Sequence, residues 1–332
     1  MRWRDERRRG VRGRGFVTGR PSAERWLLLA SYGSVAVALL LIVVKAAAWL
    51  YTGSASMLGS LIDSFMDSMA SVLSMVAVRY SLKPADEEHR FGHGKAESLA
   101  ALAQSAFIMG SAALLFLYCL ERMLHAEEHV LEHTGIGVAV SVCAIVCTLG
   151  LLALQTHAIR LTGSTAISAD RLHYKSDLLM NAAVIVSLLF AQRGIQQVDV
   201  IMGLVIAVII CSGAVQIGRE AFGLLMDKAL PPEIDQRIRE LALSSPGVLG
   251  VHDLRTRRSG MRYIIQLHVE LEDETSLRLA HGIADAVEMR LREAYPGADV
   301  IIHQDPHSAV AQEHAEALAR STLQPPARQA PG

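Results

Sequence analysis

The chain has 332 residues, a mean hydropathy of +0.30 and a formal net charge of −1. Nearly uncharged apolar runs fill residues 27–223, whereas charged and apolar residues alternate through the remainder. This distribution excludes a single soluble globular domain, and it also excludes collagen, coiled-coil and mainly disordered chains. The near-zero net charge gives no general electrostatic support for a nucleic-acid-binding protein.

An arginine-rich arm over residues 1–22 opens the chain. Such an arm could bind nucleic acid, but it directly precedes an apolar run. That position is more typical of the cytoplasmic side of a first membrane span. We therefore predict a basic cytoplasmic arm and no nucleic-acid partner.

Six segments are predicted to form a transmembrane domain over residues 23–226, since each supplies roughly 20 mainly apolar residues. The segments are residues 27–50, 57–78, 99–120, 135–154, 167–191 and 200–217. Helices are expected because they leave no backbone polar group unpaired in lipid. Basic residues are concentrated before the first segment and in the loops after the second and fourth. The positive-inside rule therefore places both termini in the cytoplasm.

The remaining sequence predicts a small cytoplasmic domain over residues 227–308. After a Pro-Pro pair that ends the last membrane helix, apolar spacing predicts two helices and three strands. Their predicted bounds are 234–243, 250–257, 263–271, 277–295 and 298–302. This αββαβ order predicts a two-layer α+β fold of the ferredoxin or metallochaperone kind. Residues 309–332 are polar, Ala-rich and Pro-ended, which predicts a disordered tail.

Three acids and one histidine of the predicted second and fifth spans are candidate ligands. Asp63 and Asp67 are four residues apart, and His173 and Asp177 repeat that spacing, so each pair lies on one helix face. An intramembrane acid costs about 2.5–3.5 kcal/mol on insertion scales, so these side chains need a partner. If the two helices face each other, the four groups suit a tetrahedral divalent cation, above all Zn²⁺. The alternative is a polar packing seam with the serines of the second span, which explains the serines better than the acids.

The same four groups can also bind protons. Metal binding should expel protons from them, and protonation should expel the metal. The sequence contains no Walker A motif that would indicate a nucleotide-driven pump. These features indicate metal/proton exchange by a secondary transporter.

Four motifs of the chain resemble those of the cation diffusion facilitator family, and they spread over residues 26–307. The motifs are LIDSFMDS at 61–68, RFGHGKAE at 90–97, LHYKSD at 172–177 and VIIHQDP at 300–306. The likeness is to the bacterial ferrous-iron/zinc efflux branch. It implies a homodimer in the bacterial inner membrane that exports Zn²⁺, Cd²⁺ or Fe²⁺ in exchange for protons. By position, it implies that Asp63, Asp67, His173 and Asp177 form the transport site.

The resemblance also implies two further metal sites. One lies in the loop after the second span and comprises Asp86, His89 and His93, although a solvated acidic loop would show the same spacing. The other is a binuclear site in the tail domain, which would stabilise the cytoplasmic dimer. Its implied ligands are His252, His268, His281, His303 and Asp305. Within that set, His268 and Asp305 are suited to bridging positions.

Two other features belong to the predicted ends of the spans. The resemblance matches Lys95 and Asp227 to a charge pair near the dimer junction, and two unrelated interfacial charges are the alternative. His125, His129 and His133 recur every four residues in the loop after the third span. They could form a metal-release or capture patch, but an exposed polar turn is the simpler interpretation.

Two other functions compete with transport. A membrane-anchored metal sensor would need only the tail site, and it leaves the costly intramembrane acids unexplained. An intramembrane metalloprotease would need a His-Glu-x-x-His helix, which the sequence lacks. We therefore predict a transporter rather than an enzyme.

Overall fold

The computed structural model describes residues 21–52, 55–124, 135–191 and 197–312. The chain divides into two compact units, and the boundary along the sequence lies between Asp227 and Lys228. The predicted basic arm lies outside the described residues, apart from its last two. The three loop histidines His125, His129 and His133 also lie outside them.

The first unit is built from six long helices in the part of the chain that is described. They are α1 (Pro21–Thr52), α2 (Ala55–Ser81), α3 (Lys95–Leu124), α4 (Gly135–Thr162), α5 (Thr165–Ala191) and α6 (Gln197–Leu225). Five of them are long and apolar enough to cross a membrane by length and composition, and α5 is the exception. The predicted helical membrane region is therefore confirmed, while a sixth span at α5 stays a prediction.

Close contact between α3 and α6 depends on small residues. A Cβ added at Gly203 of α6 would lie 2.5 Å from the Cys119 sulfur, and one at Gly218 would lie 2.9 Å from the Ser105 hydroxyl. Membrane helices approach closely where such small residues meet, since no hydrophobic effect drives them together in lipid. The two helices therefore pack backbone against backbone along much of their length.

The second unit has the predicted αββαβ order. It contains α7 (Pro232–Leu243), β1 (Gly250–Ser259), β2 (Arg262–Leu271), α8 (Leu277–Ala294) and β3 (Asp299–Pro306). The strands form one sheet in the order β1-β2-β3, and β2 pairs with β3 in parallel. Residues 307–312, of which the last four were expected to be disordered, are helical.

One face of this sheet forms the hydrophobic core of the second unit. Side chains alternate along β2, so Ile265, Leu267 and Val269 point to the same side and are almost fully buried. The helix α8 covers them with a buried apolar stripe that includes Val287 and Leu291. The opposite face of the sheet is left for polar side chains.

Candidate metal centres

A cavity of about 630 Å³ lies among the six helices of the first unit. Its wall includes the four residues predicted as transport ligands and one lysine. These are Asp63, Asp67, His173, Asp177 and Lys45. The rest of the lining mixes apolar side chains with hydroxyl and amide groups. The cavity therefore concentrates ionisable groups at one place within a membrane-like bundle.

Asp67, His173 and Asp177 converge in this cavity. Each offers one ligand atom, and the three atoms lie within 4.8 Å of one another. The ring atom Nε2 of His173 is 3.0 Å from Oδ1 of Asp67 and 3.8 Å from Oδ2 of Asp177. The shorter contact does not have hydrogen-bond geometry, so this buried nitrogen has no hydrogen-bond partner among the described residues. An imidazole nitrogen held between two carboxylates is a donor set that suits a divalent transition metal.

Asp63 lines the same cavity but lies outside the three-residue group. The nearby cation is Lys45 of α1, whose ammonium donates to the Ser60 carbonyl (3.2 Å) and the Ser64 hydroxyl (2.6 Å). Those two serines flank Asp63 on α2. The structure thus assembles three of the four predicted ligands, and the fourth lines the same cavity as Lys45.

A fully buried polar network lies next to this site, and our sequence analysis did not find it. Asp170 of α5 is 0% exposed, and its carboxylate accepts hydrogen bonds from Ser71 (3.1 Å) and from the Gln155 amide (2.8 Å). The same amide donates to the Ser34 hydroxyl (3.0 Å), and the Tyr174 hydroxyl donates to the Ser34 carbonyl (3.0 Å). Four helices are joined by side-chain hydrogen bonds here.

The network adjoins one end of the cavity, and Tyr174 belongs to both. On α1, Ser34 precedes Lys45, and on α2, Ser71 follows Asp67. Because α1 and α2 pack side by side in opposite directions, the network lies towards the start of α1 and the cavity towards its end. The hydrogen-bonded network therefore closes one side of the ligand group, and the cavity lies open on the other side.

The loop between α2 and α3 forms a second group of ligand atoms within 4.8 Å, from Asp86, His89 and His93. The carboxylate of Asp86 is 3.4 Å from Nδ1 of His89 and 3.3 Å from Nε2 of His93. The buried His93 ring contacts the Lys83 carbonyl through Nδ1 (3.3 Å), which directs Nε2 towards the carboxylate. Such a second contact commonly orients a metal-binding histidine.

Asp86 is strongly stabilised as an anion. Lys83 donates a 2.8 Å hydrogen bond to its side chain, and the His89 backbone N–H donates another at 2.7 Å. The Lys83 hydrogen bond is the larger cause, and together they hold the pKa of Asp86 well below its usual range. The loop group therefore presents a permanent negative charge to a cation.

The third group lies on the polar face of the sheet in the second unit and comprises His252, His268 and Asp305. Parallel pairing sets His268 opposite His303 and Glu270 opposite Asp305, so all four side chains share one face. Oδ2 of Asp305 is 2.7 Å from Nδ1 of His268 and 3.3 Å from Nε2 of His252. Its Oδ1 is 3.0 Å from Nε2 of His303. One carboxylate thus contacts three imidazoles.

His281, the remaining predicted tail ligand, lies apart from this group. It is on α8, largely exposed, and its Nε2 is 3.5 Å from the carboxylate of Asp285. In contrast, Asp253 was not predicted but lies 3.7 Å from Nε2 of His268. Its positive φ of 42° is uncommon for a residue other than glycine. A hydrogen bond from Arg255 lowers the pKa of Asp253 and keeps it anionic.

Glu270 and the Lys95–Asp227 ion pair are further charged groups near these sites. Glu270 accepts contacts from Nδ1 of His252 (3.2 Å) and Nδ1 of His307 (2.9 Å), so it orients the first of these rings. In the first unit, Lys95 and Asp227 form the predicted ion pair at 2.8 Å. The role of that pair at a dimer junction stays a prediction.

The fold and its ligand clusters define a class of protein: a helical membrane transporter with a separate α+β domain and several candidate metal centres. The profile of the cation efflux transmembrane domain matches residues 31–226, and that of the cation efflux cytoplasmic domain matches residues 230–307. The chain therefore belongs to the cation efflux family, also called the cation diffusion facilitators. This membership confirms the predicted family and a transporter rather than an enzyme.

Named relatives agree with this assignment. The chain is 51% identical over 281 residues to the cation-efflux pump FieF of Shewanella oneidensis, which covers 85% of this chain and 94% of that protein. It is 48% identical over 293 residues to FieF of Yersinia pestis, covering 88% and 97%. The solved zinc form of the transporter CzrB is 37% identical over 25% of this chain and 96% of its own. Its TM-score is 0.23, which adds nothing to the assignment.

Proposed function

We propose that this protein exports divalent metal cations from the cytoplasm by exchange with protons. Asp67, His173 and Asp177 would hold the transported ion, and Asp63 would join them as the fourth ligand when the cation enters. The observation that carries the proposal is the buried His173 nitrogen, which lies between two carboxylates and lacks a hydrogen-bond partner among the described residues. One imidazole and three carboxylates form a set that Zn²⁺ favours, and Cd²⁺ and Fe²⁺ are further candidate substrates.

The positions of the hydrogen-bonded network and of the open cavity support a direction for this export. If both termini are cytoplasmic in a bacterial inner membrane, the half of the bundle that contains Asp170 and its partners faces the cytoplasm. The cavity would then connect the ligands to the outer side. In this arrangement the bound ion can leave outwards, while the hydrogen-bonded network blocks its return.

The other groups fit supporting roles in the same function. We propose a cytoplasmic arm over 1–22, a transmembrane domain over 23–226, a cytoplasmic metal-binding domain over 227–308 and a tail over 309–332. The tail group would bind metal through His252, His268, His303 and Asp305 and stabilise a homodimer, with His281 as a further ligand. The loop group at Asp86, His89 and His93 would bind a separate ion.

Transport by purified protein in proteoliposomes tests the proposal. With a pH gradient imposed across the vesicle membrane, Zn²⁺ added on the side that corresponds to the cytoplasm should drive proton movement through the native chain. Asp177→Ala should abolish it, because one of two carboxylates beside His173 is lost. Glu293→Ala removes an exposed carboxylate of α8 and should leave the flux unchanged.

Two outcomes would count against the proposal. Native flux in the Asp177→Ala variant would refute the site assignment. No metal-driven proton flux in any variant, including the native chain, would instead favour a membrane-anchored metal sensor.

A further inference from the structure

Lys45 is a positively charged side chain in the wall of the candidate transport cavity. It is half-buried on α1, and its ammonium donates to the Ser64 hydroxyl (2.6 Å) and the Ser60 carbonyl (3.2 Å) of α2. These contacts hold the charge at the level of the ligands. A lysine at this depth is costly in a membrane protein, and such residues usually serve function.

The carboxylates of the site are the counter-ions of this lysine. Asp63, Asp67 and Asp177 line the same cavity as its ammonium, and opposite charges that share a partly buried cavity attract one another. Three carboxylates carry three negative charges, which a dication and one ammonium balance together. The ammonium therefore supplies the third positive charge, which a divalent metal alone does not provide.

We infer that Lys45 sets the metal affinity of the transport site by contributing this fixed positive charge. The inference rests on the proposed function, since it assumes that Asp67, His173 and Asp177 bind the transported ion. Lys45 is not itself a ligand, because an ammonium has no lone pair to donate. It acts through the carboxylates and sets the affinity of the site without touching the metal.

Two physical effects follow from a lysine in this place. In the empty site the ammonium stabilises the ionised carboxylates, so these groups gain less free energy when they bind a cation. In the loaded site it repels the dication, and this repulsion is less screened than between two surface charges because Lys45 is half-buried. Both effects weaken binding and favour release, which a transporter needs in order to turn over.

The test measures Zn²⁺ binding and transport by the full chain with the other two groups disabled by Asp86→Ala and His268→Ala. In this background, Lys45→Met should tighten Zn²⁺ binding about tenfold or more at about pH 8, measured by titration calorimetry in detergent. Its maximal transport rate should fall because release slows, and its half-saturating Zn²⁺ concentration should fall as well. Lys45→Arg keeps the charge and should stay within about threefold of the background protein.

Control variants separate a charge effect from a structural one. Lys175→Met removes an equivalent charge from an exposed position of α5 outside the cavity lining, and it should change neither quantity. Lys45→Gln is a second neutral variant that can still hydrogen-bond Ser64, and it should also bind Zn²⁺ more tightly. A merely structural lysine would lower the transport rate without tightening binding in any neutral variant.

The result that overturns the inference is a neutral Lys45 variant that binds Zn²⁺ as the background protein does, or more weakly. Asp177→Ala distinguishes this failure from failure of the proposed function. If Asp177→Ala abolishes binding while Lys45→Met does not tighten it, only the role of Lys45 is wrong. If Asp177→Ala binds normally, the transport site itself is wrongly assigned.

Discussion

Replacing Asp170 by alanine is expected to destabilise the helical unit, because two buried donors lose their acceptor. Ser71 and Gln155 donate to opposite oxygens of this carboxylate at 3.1 and 2.8 Å, and all three residues are 0% exposed. A buried donor left without a partner costs about 1–3 kcal/mol, so two of them cost at most about 2–6 kcal/mol. The Ser71 hydroxyl still has the Tyr174 hydroxyl 3.0 Å away, which reduces its share of this loss. The polar cavity that remains can admit water, which satisfies part of this loss. We therefore expect a loss of about 2–3 kcal/mol in the free energy of unfolding.

Asp170→Asn is the matched comparison for this substitution. Asparagine has almost the same shape and keeps one acceptor oxygen, but its amide nitrogen meets a donor where the second oxygen was. The asparagine variant should therefore lose about half as much stability as the alanine variant.

Tryptophan fluorescence during denaturant unfolding in detergent measures both variants. The chain has three tryptophans, Trp3, Trp26 and Trp49, and all precede the end of α1, so the signal reports on the first unit. A loss below about 1 kcal/mol in Asp170→Ala would refute the reasoning, since that is the net value of one ordinary hydrogen bond. An asparagine variant less stable than the alanine variant would refute it too.

Two further predictions concern the second unit and the loop group. Leu291→Ala should cost about 2–5 kcal/mol because the side chain is fully buried under the sheet, whereas Leu279→Ala, 59% exposed on the same helix, should stay within about 0.5 kcal/mol. Hydrogen exchange of α8 measures both, and equal losses would contradict the packing described. Lys83→Met should raise the pKa of Asp86 towards its ordinary value, so that this carboxylate becomes protonated as pH falls through the usual carboxyl range. Lys83→Arg should keep it ionised there; an NMR titration that is the same in both variants would exclude the assigned cause.

The transport ligands show what helical periodicity can predict and what it cannot. A spacing of four residues predicts that Asp63 and Asp67 share a face, and that His173 and Asp177 do too. It does not specify how far along the facing helix each pair lies. In the structure, Asp67 reaches the level of His173, whereas Asp63 lies one turn away on α2, in the cavity wall that it shares with Lys45 of a third helix. Only the packing of three helices determines that difference.

Asp170 was missed because its partners are remote in sequence. It is followed by Arg171 near a predicted end of the fifth span, so it resembles an interfacial charge. Its hydrogen-bond partners Ser71 and Gln155 belong to α2 and α4, and no local pattern joins them. Polar networks of this kind emerge only when several helices pack together.

The tail group was also predictable only in part from the sequence. Alternation predicted the buried face of β2, and the almost complete burial of Leu267 and Val269 confirms it. The pairing of His268 with His303 depends on the register of the parallel strands β2 and β3, which are connected through α8 and which local spacing does not specify. In addition, β3 runs from Asp299 to Pro306 and is longer than predicted, so Asp305 is held on the strand.

Both candidate centres of the first unit combine carboxylates with a lysine, but the two lysines cannot have equal effects. Lys83 contacts Asp86 directly, yet its side chain is 52% exposed, so water and salt screen its charge and an arriving cation can displace it. Lys45 is half-buried and anchored to α2 by two hydrogen bonds, so its charge is less screened and its position is more restricted. The same side-chain chemistry therefore stabilises an exposed loop in one place and opposes a bound dication in the other. The difference arises from burial, which sequence spacing does not encode.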